Sequence, residues 1–225
     1  GVVTSANGFF ISDGIVATTY NFIEKALIKA QNIIISDNLE NVYELDGIIT
    51  LNKESDLVLL KIKDKNSNHI EINDEIKLEK EDALIALNSK NGIGLTAYKG
   101  IAIDVDNNIQ TSFAVTEEIQ GSPIFDKDGN LVGMINSKVV NSSISFATKN
   151  DILKEYYLKL SNKEFEGIKC VSFKELKEKY YTKYNEEKYF NNISENKWNE
   201  YSRAENIEEN IKMPLVKASF TDGII

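Results

Sequence analysis

The segment from Ile109 to Gly133 constrains the fold of this 225-residue chain more than any other part of the sequence. It contains a tight, proline-terminated turn, Gly121-Ser122-Pro123, which is followed by the short apolar run Ile124-Phe125. Asp128-Gly129 then signals a hairpin turn, because glycine takes positive φ angles without steric cost. Leu131 to Ile135 is the expected partner strand. The segment therefore predicts a loop that leads directly into a β-hairpin.

Short apolar runs separated by turn signals recur along the first two thirds of the chain. They are rich in β-branched and aromatic residues, which favour strands. The polar and charged stretch 63–81 separates the runs into two groups. Many short strands at regular spacing indicate barrels or a sandwich. The predicted strands are residues 8–12, 15–18, 33–35, 42–51, 56–62, 69–72, 83–87, 95–105, 109–113, 123–125, 131–135 and 143–147.

The apolar pattern changes to a helical period after these strands. Residues 150–160 have apolar side chains three and four positions apart, with Asn150 or Asp151 available as a cap. The same period returns from Ser172 onward and again over 194–213. We therefore expect three parts: an N-terminal β-lobe (1–72), a C-terminal β-lobe with a closing helix (73–160) and a helical C-terminal extension (161–225).

Four of these segments resemble, in order, the motifs of trypsin-like serine proteases of the HtrA/Deg type. The stretch from Gly14 to Asn21 is similar to the family's Gly-x-x-x-Thr-x-x-His, with Asn21 at the histidine. Ser55 to Lys61 resembles the family's acid motif and keeps Asp56. Ile109 to Ile124 aligns without a gap to the nucleophile loop, and Ile144 to Ala147 resembles the family's Ile-Gly-Phe-Ala. The resemblance covers roughly residues 5–160. It implies a mostly β fold of two six-stranded antiparallel barrels, to which this chain adds the helical extension.

The resemblance assigns two unusual residues to the nucleophile loop. Gln120 falls at the serine, and Glu118 replaces the glycine whose backbone N–H helps to bind the oxyanion. A serine protease needs a nucleophile, a base and a group that orients the base. Gln120 has no ionisable O–H or S–H, and Asn21 cannot exchange a proton near neutral pH as imidazole does. Asn21, Asp56 and Gln120 are therefore vacated triad positions, and no catalytic residue is predicted.

The leading hypothesis is a pseudoprotease that binds a protein or peptide. Glu118, Ile119, Gln120, Gly121 and Ser122 are the candidate residues of its binding cleft. An atypical or weak serine endopeptidase is the first alternative, and it requires Ser122 to be the nucleophile. The other alternative is a structural or assembly module that uses its helical tail.

Composition excludes several other classes of function. The net charge of -9 disfavours a nucleic-acid surface, which needs clustered Lys and Arg. A single cysteine, Cys170, and a single histidine, His69, exclude an internal disulfide and sites built from several Cys or several His ligands. We expect a surface role for His69 and a structural thiol for Cys170, with no metal and no cofactor. No apolar run is long enough to span a bilayer. The compartment stays open; an extracytoplasmic location, or a membrane tether outside this chain, is compatible with the sequence.

Overall fold

The computed structural model describes residues 5–29, 31–65, 68–73, 76–89, 94–106, 108–114, 116, 119–136 and 144–192, and within the last range it describes no side chains at 182 and 184–192. The fold is mostly β, with three α-helices. The strands are β1 (Gly8–Ser12), β2 (Ile15–Thr18), β3 (Ile35–Ser36), β4 (Val42–Tyr43), β5 (Leu45–Asn52), β6 (Leu57–Ile62), β7 (Ala83–Asn88), β8 (Thr96–Asp104), β9 (Ile109–Thr111), β10 (Pro123–Phe125), β11 (Leu131–Ile135) and β12 (Ser145–Lys149). The helices are α1 (Tyr20–Ile28), α2 (Asn150–Ser161) and α3 (Phe173–Asn192).

The chain forms two compact units. The first comprises Gly1–Lys25 and Asn32–Phe173, and it contains every strand given above. The second comprises Ala26–Gln31 and Lys174–Ile225, and it contains most of α3. The domain boundaries expected at 72/73 and 160/161 remain predictions.

Strands β7 to β12 close into one six-stranded antiparallel barrel, in the order β10-β11-β12-β9-β8-β7. This confirms a barrel in the second half of the chain. The barrel interior is apolar, because alternate residues of each strand point inward. Its buried residues are Leu84, Ala86, Ala102, Ile109, Phe113, Ile119, Ile124, Val132, Ile135 and Ala147.

The predicted hairpin in Ile109 to Gly133 is present as β10 and β11, with Ile124 opposite Gly133. Asp126 organises the turn: one carboxylate oxygen accepts the N–H groups of Asp128 and Asn130, and the other accepts the Asn130 side-chain amide. Burial raises the pKa of Asp126, but these hydrogen bonds outweigh it and hold the pKa below its ordinary value. Local turn chemistry therefore accounts for this hairpin.

The first half of the chain differs from the expected barrel. It forms a four-stranded sheet, β1-β2-β6-β5, and a separate two-stranded ribbon of β3 and β4. No second closed barrel is found among the described residues. Of the strand predicted at 33–35, only residue 35 lies in a strand, β3 (Ile35–Ser36). The side chain of Ile34 is 79% exposed. The ribbon strands are two residues long, and among the described strands β3 and β4 pair only with each other.

One core joins this sheet to the barrel and to α2. β6 is buried along its whole length and supplies Leu57 and Leu59 to the core. The barrel contributes Leu131 and Met134, and α2 contributes Leu153. The apolar face predicted for 150–160 thus packs as expected.

The N-terminal end of α2 differs from the sequence prediction. Residue Lys149, in extended conformation and without a side-chain hydrogen bond, stands at the N-cap of α2, so neither Asn150 nor Asp151 caps it. The helix predicted from Ser172 is present as α3, and the one predicted over 194–213 lies outside the described residues. Within the described part of the chain, no helix combines the length and apolarity needed to cross a membrane.

Candidate functional site

Asp56 lies in the turn before β6 and holds the start of α1. It is 4% exposed and has a positive φ of 53°, a conformation that aspartate tolerates better than most residues. Its Oδ1 accepts the Asn21 N–H at 2.9 Å, and its backbone C=O accepts the Tyr20 N–H at 3.2 Å. These are two of the first N–H groups of α1, which have no partner within the helix. Asp56 therefore caps α1 from a distant part of the sequence, a structural use that needs no histidine.

The structure brings Asn21 and Asp56 together but joins Gln120 to a different residue. Gln120 is 5% exposed, and its C=O accepts the N–H of Asn7 at 2.8 Å and the Asn7 side-chain amide at 3.3 Å. Among the described contacts, none joins the Gln120 side chain to Asn21 or Asp56. The three residues expected at triad positions, Asn21, Asp56 and Gln120, thus consist of one bonded pair and one separately anchored residue.

Asn7 is a positioning residue that the sequence analysis missed. Its side-chain oxygen accepts the Ser89 N–H at 3.2 Å, and its C=O accepts the Thr18 hydroxyl at 2.7 Å. With the two bonds to Gln120, Asn7 ties together β2, the end of β7 and the loop that contains Gln120. No local pattern marks it, because its partner Gln120 lies 113 positions away.

Gly121 permits this close approach of Asn7. Its φ is +81°, in the left-handed region that favours glycine. A Cβ placed here would lie 2.8 Å from the Asn7 carbonyl carbon and closer still to its oxygen. The Gly121 N–H also donates to Ile135 O at 2.8 Å, and the Ile135 N–H donates to Ser122 O at 2.9 Å. Both sides of the loop backbone are therefore held, by Asn7 and by β11.

The remaining cleft candidates are largely buried. Ile119 is 1% exposed and belongs to the barrel core, and Ser122 is 0% exposed. The Ser122 hydroxyl has no hydrogen-bond partner among the described residues. Glu118 lies outside the described residues. A nucleophile must reach its substrate and have a base beside it, and neither condition is met by Ser122 in this conformation.

His69 and Cys170 lie apart from the vacated positions. The His69 ring is 3.5 Å from the Asp13 carboxylate, beside the β1–β2 turn, with its side chain 32% exposed. Burial and the nearby Asp46 carboxylate raise the pKa of the Cys170 thiol, which lowers its thiolate fraction at neutral pH. The described residues contain no group of three or more His, Cys, Asp or Glu that could hold a metal ion.

Known proteins provide an independent comparison. No family model matches the chain. The chain is 27% identical over 176 residues to the anti-sigma-I factor RsgI9 of Acetivibrio thermocellus. The aligned region covers 76% of this chain and 24% of that protein. It is 30% identical over 198 residues to a probable periplasmic serine endoprotease, DegP-like, of Rickettsia conorii. The aligned region covers 78% of this chain and 38% of that protein. A DegP-like protein of the same description from Marinomonas sp. is 32% identical to this chain over 150 residues. The aligned region covers 62% of this chain and 31% of that protein.

The chain thus spans between about a quarter and two fifths of the length of these curated relatives. The repeated similarity to DegP-like endoproteases agrees with the motif order and with the closed barrel. This chain is therefore related to the trypsin-like, HtrA-type serine proteases.

Proposed function

We propose that this chain is a catalytically inactive trypsin-like domain that binds a protein or peptide as part of a larger protein. The observation that carries the proposal is the chemistry at positions 21 and 120. Asn21 and Gln120 supply neither a base nor a nucleophile. The surrounding backbone is nevertheless held in place, since Asp56 caps α1 and Asn7 anchors the loop. Retained architecture without the reacting groups favours binding over catalysis.

The similarity to an anti-sigma-I factor supports a regulatory setting. The match covers 76% of this chain but only 24% of that protein, as expected for one module of a longer chain. A binding module could report the presence of its ligand to the rest of such a protein. The protein or peptide bound at the cleft would meet the edges of the 119–122 loop rather than its buried side chains.

A serine-directed fluorophosphonate probe tests the inactivity. We expect no labelling of the natural chain above that of Ser122→Ala. A double variant, Asn21→His/Gln120→Ser, restores the residue types of the family and serves as the matched control for probe access. Labelling of the natural chain that disappears in Ser122→Ala would support the competing hypothesis, an atypical serine endopeptidase, which the DegP-like relatives favour.

The third hypothesis, an assembly module that uses its helical tail, is tested on α3. Lys174 and Lys179 are exposed on this helix. The charge reversal Lys174→Glu/Lys179→Glu therefore alters the surface of α3 and leaves every residue of the β-strands unchanged. If partners captured by the natural chain are retained by this variant, the part of the chain that contains β1 to β12 carries the binding. Loss of every partner would instead assign the interaction to the tail.

A further inference from the structure

Residues 165–171, called the strap below, cover part of an open sheet edge. β5 is the last strand of the four-stranded sheet, and no strand of the described residues pairs with its outer edge. The Ile48 N–H donates to Val171 O at 2.8 Å, and the Val171 N–H donates to Ile48 O at 2.9 Å. This reciprocal pair is the hydrogen-bond pattern of an antiparallel bridge. The strap therefore contacts β5 as an added strand would, at one residue.

Two glycines make room for the strap. A Cβ on Gly47 would lie 2.5 Å from Val171 O and 2.8 Å from the Cys170 sulfur. A Cβ on Gly14 would lie 2.8 Å from Cζ of Phe165 and closer still to Cε2. Any side chain at either position would collide with the strap. The β5 edge is thus shaped to accept a polypeptide backbone at Gly47, and the β1–β2 turn is shaped to accept an aromatic ring at Gly14.

The ring of Phe165 also meets positive charge. The Lys61 ammonium lies 4.7 Å from the ring centroid and the Lys65 ammonium 5.9 Å, within the range of cation–π attraction. Lys61 is largely buried and is held in turn by Asp46 at 3.2 Å. An aromatic ring at this position is therefore recognised electrostatically as well as by shape.

The strap has three anchors at intervals of three residues. Phe165 packs on Gly14, Ile168 is 6% exposed in the core, and Val171 pairs with Ile48. The intervening residues are exposed or half-buried, and Val171 itself is 43% exposed. Segments with few buried contacts and exposed backbone hydrogen bonds open more readily than a core strand.

We propose that the β5 edge at Ile48, together with the β1–β2 turn at Gly14, is a binding site for a peptide of the strap's shape, and that the strap masks it. That shape is a single 3-10 turn, Phe165–Gly167, followed by a segment whose backbone pairs with β5 at Val171. An uncovered edge strand offers a row of N–H and C=O groups to another chain, and peptides bind such edges by main-chain pairing with side-chain pockets for specificity. The peptide that fits has an aromatic residue, an aliphatic residue three positions later and a β-branched residue three positions after that. This site is separate from the vacated triad positions, and it does not depend on whether the domain is inactive.

Competition between strap and peptide provides the test. In the natural chain the tethered strap competes at an effective concentration in the millimolar range. The full-length double variant Phe165→Ala/Val171→Pro weakens it, because proline has no N–H to donate to Ile48 O. The probe is a fluorescein-labelled peptide of residues 163–172 with serine in place of cysteine. We expect fluorescence anisotropy to give a Kd at least tenfold lower for the variant than for the natural chain.

A peptide with proline at the position of Val171 is the matched control and should not bind. Equal binding of both peptides, or of one peptide to both chains, would overturn the proposal. Concentration-dependent dimerisation of the variant without peptide binding would also overturn it, because another surface of a second copy would then cover the exposed edge.

Hydrogen exchange in the natural chain keeps the proposal testable if the variant does not fold. The Ile48 and Val171 amides should exchange at least 100-fold faster than those of Leu59 and Leu60 in β6. Equal protection would mean that the strap opens only when the whole sheet unfolds, and the site would then never be available.

Discussion

Replacement of Gly121 by alanine tests whether Asn7 holds the former nucleophile loop. A non-glycine residue at positive φ costs about 1–2 kcal/mol. The new Cβ would also lie 2.8 Å from the Asn7 carbonyl carbon, where ordinary contacts begin near 3.4 Å, so Asn7 must move by more than half an ångström. That movement weakens the bond from the Asn7 N–H to Gln120 O and the bond from the Thr18 hydroxyl to Asn7 O.

Each of these bonds contributes about 0.5–1.5 kcal/mol net. Adding the backbone term gives an expected loss of about 2–5 kcal/mol in the free energy of unfolding. Gly129→Ala is the matched control: Gly129 has a φ of +85°, close to that of Gly121, but a Cβ there meets nothing within 4 Å. It should cost only the backbone term, about 1–2 kcal/mol.

Urea unfolding followed by far-UV circular dichroism measures both variants against the natural chain. Amide exchange at Asn7 adds a local readout, which should accelerate in Gly121→Ala alone. The reasoning is refuted if the two substitutions cost the same within about 0.5 kcal/mol, the usual scale of a neutral surface change. Asn7 would then not be displaced, and the close approach would have no energetic consequence.

Three further substitutions address single groups. Ser122→Ala should leave stability unchanged or raise it by up to about 1 kcal/mol, because it removes a buried hydroxyl that has no partner among the described residues; a loss above 1 kcal/mol in urea unfolding would contradict this. Asp56→Ala should cost about 2–4 kcal/mol, about 1–2 for the lost cap and about 1–2 for alanine at a φ of 53°, and it should expose the Asn21 amide to exchange. Asp56→Asn keeps an acceptor and should cost less; equal losses, or an Asn21 amide as protected as in the natural chain, would argue against the capping role. The pKa of Asp126 is lowered in the folded state, so its contribution to stability is present at neutral pH and is lost as pH falls below about 4. Unfolding free energies at pH 7 and pH 3 should therefore differ less in Asp126→Asn than in the natural chain, and an unchanged difference would refute that role.

Sequence reasoning succeeded where the interactions are local. The β10–β11 hairpin depends on Asp126 and on the glycine three residues later, and α2 depends on apolar spacing within twelve residues. It was less successful for the first half of the chain, because strand partners there are distant. Ile34 looked like part of a strand but is 79% exposed, and the expected second barrel is a four-stranded sheet with a separate ribbon.

The candidate site divides in the same way. Residue identity alone shows that positions 21 and 120 hold no base and no nucleophile, since that is a matter of side-chain chemistry. The structure was needed to show that Asp56 caps α1 and that the Ser122 hydroxyl is buried. Both facts depend on which surfaces meet, and no pattern within one segment specifies that.

The sequence by itself thus determined the turn chemistry of the β10–β11 hairpin and the helical periods of α2 and α3, and it shows that Asn21 and Gln120 are neither bases nor nucleophiles. Only the tertiary structure decided that Asn7 anchors Gln120, 113 positions away, and that Val171 forms a backbone bridge with Ile48. The physical reason is that hairpin and helix signals act between neighbours, whereas a long-range backbone pair can form between almost any residues. Gly14, Gly47 and Gly121 are visible in the sequence, but only the fold explains why glycine is needed there. Each lies against a distant residue that a Cβ would collide with.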